Sequence, residues 1–514
     1  MIPGYHPIAM QQAPESYRST AASSVSAVSD AGFGARVRSA MVWRWGTQVL
    51  AQVITWGSTL AVVRLLDPSD YGLFAMTQVV LAALAFLNGY SFATSLIQAP
   101  KVDNHKISQV FGMLILANVI IASAQFLLAP YIAAYYGQPI VADMLQVQAA
   151  LFLTVPFVAL PSALLARKIE FRSQGVVNLM CAGVGASVAL YLAWRGYGVW
   201  ALVYAPIAMA VTRAFGLTIV ARLLVWPSFN FRGARDILSF GGALTLCQLF
   251  WIIQSQSDIF IAGRAFDTHD LGLYSEALFL TLIVTGRFLP PINEVAFPAY
   301  AELHKLGKPV APFFLRTMRT VLLVTAPIYV GLALTADAAV LTLFGPKWSE
   351  MAPIAAGLAL AMPAMALQIV CSPATNAMGS PRIYVITSAI GAVIYPAVFL
   401  IGIAYGPMGL VYAWWVAAPT LLLATLLLTL PAVGLTFGKL IAELLPVGLA
   451  CAVMALAVTA LKAAIGSAAP PMQLLLVVPF GALAYGATIW LGWPPLLRET
   501  WAMLRKGKKA PISA

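Results

Sequence analysis

Residues 64–73 read RLLDPSDYGL and residues 264–273 read RAFDTHDLGL. At an offset of 200, Arg64 matches Arg264, Asp67 matches Asp267, Asp70 matches Asp270, Gly72 matches Gly272 and Leu73 matches Leu273. Each string lies between long apolar runs and joins the first two of a set of six. His105–Lys106 corresponds to His304–Lys305, and Pro161 and Pro363 fall in equivalent fourth runs. Self-similarity at a fixed period signals an internal repeat. Six is an even number, so both halves enter a membrane in the same direction, and the repeats are parallel about an axis along the membrane normal. Two such lobes facing each other enclose a central cleft, an arrangement suited to alternating access. Within each string an aspartate can cap the following helix, and the glycine permits a tight turn.

The rest of the chain fits this frame. Hydrophobic residues make up 61% of the 514 and charged residues 9%, against about 25% charged in soluble domains. A membrane-crossing helix needs about 20 apolar residues, and such runs recur along nearly the whole chain. Their limits are 41–66, 73–98, 107–133, 143–166, 175–194, 199–222, 239–265, 273–298, 313–336, 351–377, 384–404, 410–432, 441–463 and 472–493. The fold expected is an all-α polytopic membrane protein of about 14 transmembrane helices, with two parallel six-helix repeats forming two lobes and two C-terminal helices appended. Residues 1–40 are expected as a disordered cytoplasmic tail, with a short helix over Phe33–Arg38 leading into the first span. Residues 41–235 form the first lobe, 236–435 the second, 436–494 the appended pair and 495–514 a basic cytoplasmic tail.

The net charge of +12 is explained by membrane topology rather than by nucleic-acid binding. With the N-terminus in the cytoplasm, all but eight of the 30 Lys and Arg fall in cytoplasmic loops, helix ends and tails. Arg64, Arg195, Arg264, Lys347 and Lys462 lie on the other side, and Arg44, Arg213 and Arg287 lie within spans. This bias places both termini in the cytoplasm. Cys181, Cys247, Cys371 and Cys451 all fall inside spans, without CxxC pairing, and read as small apolar residues. No metal-ligand spacing, cofactor motif, nucleophile triad or phosphate loop is present.

Five strings carry a resemblance: RLLDPSDYGLFAM from Arg64, SDIFIAGRAFDTHDLGLYSEA from Ser257, EVAFPAYAEL from Glu294, FGPKW from Phe344 and TNAMGSPR from Thr375. In this order they are similar to the Wzx-type polysaccharide flippases of the multidrug/oligosaccharidyl-lipid/polysaccharide exporter superfamily. The resemblance covers roughly residues 41–435. It implies a flippase in the bacterial inner membrane, carrying a polyprenyl-pyrophosphate oligosaccharide repeat unit to the periplasmic leaflet; the lack of a long loop and of catalytic motifs reads against an enzyme. It implies membrane lipid as surroundings, polysaccharide polymerase and export machinery as partners, and no nucleic acid. A drug or cation antiporter of the same superfamily is the alternative, and a membrane polysaccharide polymerase a more remote one.

Charged groups inside spans are costly and mark function by default. Arg287, halfway along the eighth span and followed by Pro290 and Pro291, is expected beside a broken helix, where its guanidinium suits a pyrophosphate. The alternative is an ion pair with Glu294 or Glu276. Arg44 either lines the cleft or snorkels to lipid phosphates between Trp43 and Trp45, and Arg213 either joins the cationic surface or bonds backbone carbonyls. Asn88 and Gln254 are expected to face sugar. Asp258, which matches an acidic position of the family motif, is expected to couple an ion or pair with an arginine; Glu294 and Glu276 share that role.

Overall fold

The computed structural model describes residues 30–89, 92–93, 96, 103–167, 171–222, 225–230, 242–466, 468–494 and 496. The first lobe is built from α1 (Asp30–Leu65), α2 (Pro68–Ala85), α3 (Asn104–Tyr136), α4 (Ile140–Gln148), α5 (Ala150–Arg167), α6 (Phe171–Trp194) and α7 (Trp200–Ala221). The second contains α8 (Gly242–Ala265), α9 (Thr268–Lys305), α10 (Ala311–Leu343), α11 (Met351–Ala377), α12 (Pro381–Gly402) and α13 (Gly406–Val433), followed by α14 (Phe437–Ile465) and α15 (Pro470–Gly492). Among the described residues every regular element is helical. Ten helical stretches are long and apolar enough to cross a membrane, α12 and α13 counting as one run, so the chain is a multi-pass membrane protein. Helices α1, α2 and α8 are not among the ten, so fourteen spans are not reached by length and composition alone. Helix α1 starts at Asp30 and takes in residues 30–40, expected as tail; residues 1–29 and 497–514 lie outside the described residues.

Two expectations about helix continuity are corrected. The span expected over 73–98 is interrupted after Ala85: residues 86–89 form a turn in which Gly89 has φ +71°, and residues 92–93 and 96 are again helical. The fully buried Asn118 of α3 fixes this turn, its Nδ2 donating to the Asn88 carbonyl at 2.9 Å and to the Leu114 carbonyl at 2.8 Å. In contrast, α9 runs unbroken from Thr268 through Pro290 and Pro291 to Lys305. Those prolines cannot donate, so the Gly286 and Arg287 carbonyls receive no bond from the residue four positions on.

The repeated strings build one end of the molecule. Their aspartates lie at the starts of α2 and α9: Asp67 N donates to Asp70 Oδ2 at 3.2 Å, and Asp270 N donates to Asp267 Oδ1 at 2.8 Å. The glycines do not turn the chain as expected. They lie in the first turns of α2 and α9, where the two helices touch backbone to backbone. A Cβ on Gly72 would sit 1.9 Å from the Thr268 carbonyl oxygen, and one on Gly272 would sit 1.8 Å from that of Pro68.

The arginines reach across the same crossing. Arg64 Nε donates to the Leu343 carbonyl at 3.1 Å, and Nη2 donates to that of Thr342. Arg264 Nη1 donates to the Tyr135 carbonyl at 3.0 Å, with the guanidinium over the Tyr135 ring. Thus each repeat's arginine satisfies the last carbonyls of the other repeat's third helix, where a cation also meets the negative end of the helix dipole. Lys347 Nζ bonds Asp67 Oδ1 at 2.8 Å, and the buried Trp348 donates from Nε1 to the Val63 carbonyl at 3.0 Å.

The cores show the shape that follows. At the crossing end one apolar cluster draws on both lobes, including Val63, Tyr71, Met76 and Tyr136 from the first and Leu271, Tyr274, Trp348 and Leu358 from the second. At the opposite end the cores separate. Tyr300, Phe314, Met318 and Val370 pack within the second lobe, and Phe111, Leu114, Leu160 and Ala163 pack within the first. The lobes therefore form a V joined at the crossing. Helices α14 and α15 pack on α10, with Lys462 Nζ donating to the Leu334 carbonyl at 2.6 Å and Tyr485 Oη to that of Leu323 at 3.0 Å.

Alanine at Gly72 or Gly272 must push α2 and α9 apart. Each is expected to lower stability by about 1–3 kcal/mol, read as a fall in the thermal midpoint of the purified protein. The double variant should cost less than the sum, since the first substitution already opens the crossing. Gly331→Ala, with open space around the new Cβ, is the control expected to be nearly neutral.

Candidate functional site: a polar cleft between the lobes

A cavity of about 560 Å³, lined by the first lobe alone, adjoins two of about 420 and 400 Å³ that lie between the arms of the V. Thr55 lines all three, so they are compartments of one cleft. One wall is a polar stripe on α1, made of Gln48, Gln52, Thr55 and Thr59. Steps of four, three and four residues put these side chains on one helical face. The sequence reading missed the stripe, although this spacing inside an otherwise apolar span was its signal. Asn178 of α6, also missed, lines the first compartment with Asn88 and Arg213.

The opposite wall is one face of α9, where Glu276, Phe279, Ile283 and Arg287 line the third compartment. Arg287 Nη2 donates to Gln52 Oε1 at 3.4 Å, and Gln52 also lines the first compartment. The two lobes therefore each contribute one arginine, Arg213 from α7 and Arg287 from α9, to compartments that Gln52 connects. Arg287 forms no ion pair with Glu276 or Glu294, as one of its two readings had it. Eleven residues of helix separate it from Glu276, about 16 Å, and seven separate it from Glu294, about 10 Å. The three share a face, and among the described residues Arg287 bonds Gln52 rather than either glutamate. Glu294 is exposed and lines none of the three compartments.

The remaining expected residues go elsewhere. The Arg44 side chain lies outside the described residues. Gln254 does not reach the cleft: its Oε1 packs against Gly391 of α12, 2.3 Å from where a Cβ there would stand. Asp258 is 1% exposed within the second lobe. Its Oδ2 accepts from Tyr274 Oη at 2.9 Å, and that hydroxyl accepts from Trp414 Nε1 at 2.9 Å. No cation pairs with Asp258 among the described residues, and its neighbour Ile259 lines the second compartment. Cys181, Cys371 and Cys451 are buried free thiols. The donor atoms of Asp267, His269 and Asp270 lie within 4.8 Å of one another at the start of α9, but the Asp267 carboxylate there is the helix cap.

The family model described as "Polysaccharide biosynthesis protein" matches residues 61–353. Among curated proteins the chain is similar to the succinoglycan biosynthesis transport protein ExoT of Rhizobium meliloti (strain 1021), with 26% identity over 61% of this chain and 65% of that protein. It is also similar to the teichuronic acid biosynthesis protein TuaB of Bacillus subtilis (strain 168), with 23% identity over 52% and 56%. The lipopolysaccharide biosynthesis protein WzxC of Escherichia coli (strain K12) is 22% identical over 57% and 60%. The matched region spans less than two thirds of each of these relatives. Among solved structures, the lipid II flippase MurJ in an inward closed conformation superposes with a TM-score of 0.72 at 14% identity, over 89% of this chain and 100% of that one. An inward-facing multidrug resistance transporter of the MATE family gives 0.55 at 13% identity, over 76% and 98%; both likenesses concern the fold. The matched family region runs from the last turn of α1 to the start of α11 and takes in both repeated strings, the crossing they build and both cleft arginines, and on that match the chain belongs to the polysaccharide biosynthesis protein family.

Proposed function

We propose that this protein is a flippase. Its cargo is a polyprenyl-pyrophosphate-linked oligosaccharide repeat unit, moved from the cytoplasmic to the periplasmic leaflet of a bacterial inner membrane by alternating access. The observation that carries the reading is the cleft with one arginine from each lobe and a polar wall between them. Sugar hydroxyls stripped of water in hydrocarbon cost several kcal/mol each, and the Gln48–Thr59 stripe and Asn178 offer them partners. The pyrophosphate needs cations with fixed donors, which Arg213 and Arg287 supply. The gap between the lobes lets the lipid tail stay in the bilayer. The Lys and Arg bias assigns the open end to the cytoplasm and the crossing to the periplasm, with both termini cytoplasmic. Outward movement of an anion runs with an inside-negative potential, worth about 2.3 kcal/mol per charge per 100 mV.

The fold is shared with drug antiporters, and Glu276 gives the cleft one acidic group. Two arginines against one glutamate favour an anionic cargo over a cationic one. The arrangement is that of a carrier rather than an enzyme, and a polymerase and export machinery are the partners proposed to act on the delivered cargo. Asp258 is proposed as the coupling residue, since a buried carboxylate without a cation can change its proton or ion occupancy between conformations.

In a strain lacking the protein, complete lipid-linked repeat units should accumulate facing the cytoplasm, protected in spheroplasts from a membrane-impermeant sugar-modifying enzyme. Arg287→Ala should fail to clear them. Loss of charged hydrogen bonds worth about 1.5–3 kcal/mol corresponds to roughly ten- to hundredfold weaker cargo binding. Repeat units reaching the outer face without the protein would overturn the flippase reading. Asp258→Asn keeps an acceptor for Tyr274 but removes the titratable group; it should abolish transport while thermal stability stays the same or rises. Full transport by Asp258→Asn would remove Asp258 from coupling.

A further inference from the structure

We propose that Glu276 reads the sugar end of the cargo, binding paired hydroxyls of neutral sugars and excluding acidic sugars from the inner part of the cleft. This rests on the flippase reading above. Glu276 lines both the second and the third compartment. Among the described residues no hydrogen bond or ion pair engages its carboxylate, whereas the buried Asp258 carboxylate is held by Tyr274. A carboxylate at membrane depth is costly, and one without a protein partner needs water or a ligand. The second compartment, at 420 Å³, has room for on the order of ten waters at about 30 Å³ each, so the carboxyl group faces a space that water or a ligand can fill.

Its position relative to Arg287 fixes what it meets. The two residues share one face of α9 about 16 Å apart along the axis, with Glu276 nearer the crossing. A pyrophosphate held at Arg287 therefore directs the saccharide along Thr55 and Thr59 towards Glu276, Gln78 and Ser275, where Tyr71 and Phe279 offer apolar faces to sugar rings. Its two oxygens suit a pair of neighbouring hydroxyls, and in the ionised form both of them accept. A uronate or other acidic sugar in the same place sets like charges side by side, a costly arrangement that discriminates between cargoes.

The test is equilibrium binding to the full chain in lipid nanodiscs of two probes. One is a farnesyl-pyrophosphate-linked trisaccharide of neutral hexoses; the other is its counterpart ending in a uronic acid. The native protein should prefer the neutral probe by about tenfold. In Glu276→Gln the preference should fall to about one- to twofold, because the uronate probe gains relative to the neutral one. Both probes are measured on one preparation, so the ratio does not depend on how much protein is folded. Arg287→Ala should weaken both probes together. An unchanged preference in Glu276→Gln, with both probes still dependent on Arg287, overturns the role of Glu276 and leaves the flippase reading standing. Absence of binding by either probe to the native protein overturns both.

Discussion

At Gly72 and Gly272 two helices cross with nothing between their backbones. A single methyl group at either position would stand less than 2 Å from the other helix's carbonyl oxygen. The rest of the architecture depends on that closeness. Only because α2 and α9 meet this tightly can Arg64 and Arg264 reach the carbonyls at the ends of α10 and α3. The same proximity lets Trp348 bury itself against α1 and merges the apolar residues of both lobes into one core. Away from the crossing the helices diverge, the cores separate, and the space between becomes the cleft.

The helices themselves were legible in the sequence, because a membrane helix must be long and apolar and little else in a chain has that pattern. The internal repeat was legible too. The purpose of its residues was not. A local reading sees neighbours along the chain, so Gly72 and Gly272 read as turn formers, and Arg64 and Arg264 as exceptions to the charge bias. The glycines' true partners are about 200 residues away in sequence, and those of Arg64 and Arg264 are 279 and 129 residues away. Likewise Pro290 and Pro291 suggested a break that α9 absorbs by leaving two carbonyls without their helical donors, while the interruption at residues 86–89 occurs in the other repeat.

The cleft was partly legible for a related reason. Arg213, Arg287, Asn88 and Glu276 stand out as polar groups in apolar spans, and the structure brings them to one space. Gln254 stands out equally and points instead at α12. Polarity identifies a residue that needs a partner but does not say which neighbouring helix supplies it. The α1 stripe shows what does help: four polar residues at helical spacing define a face, whereas Gln254 and Asp258, four residues apart on α8, serve different contacts within one lobe.

The two halves of the crossing descend from the same string but are no longer equal. On the α10 side Arg64 holds two carbonyls, reinforced by Lys347 on Asp67 and Trp348 on Val63. On the α3 side Arg264 holds one carbonyl and covers a tyrosine ring. That side is held in addition by Tyr135 stacked on Phe260 of α8 at 4.7 Å, so the two edges of the crossing are joined by different chemistry. A seam made from two copies of one string is thus fastened unevenly, with more polar ties along one margin than along the other.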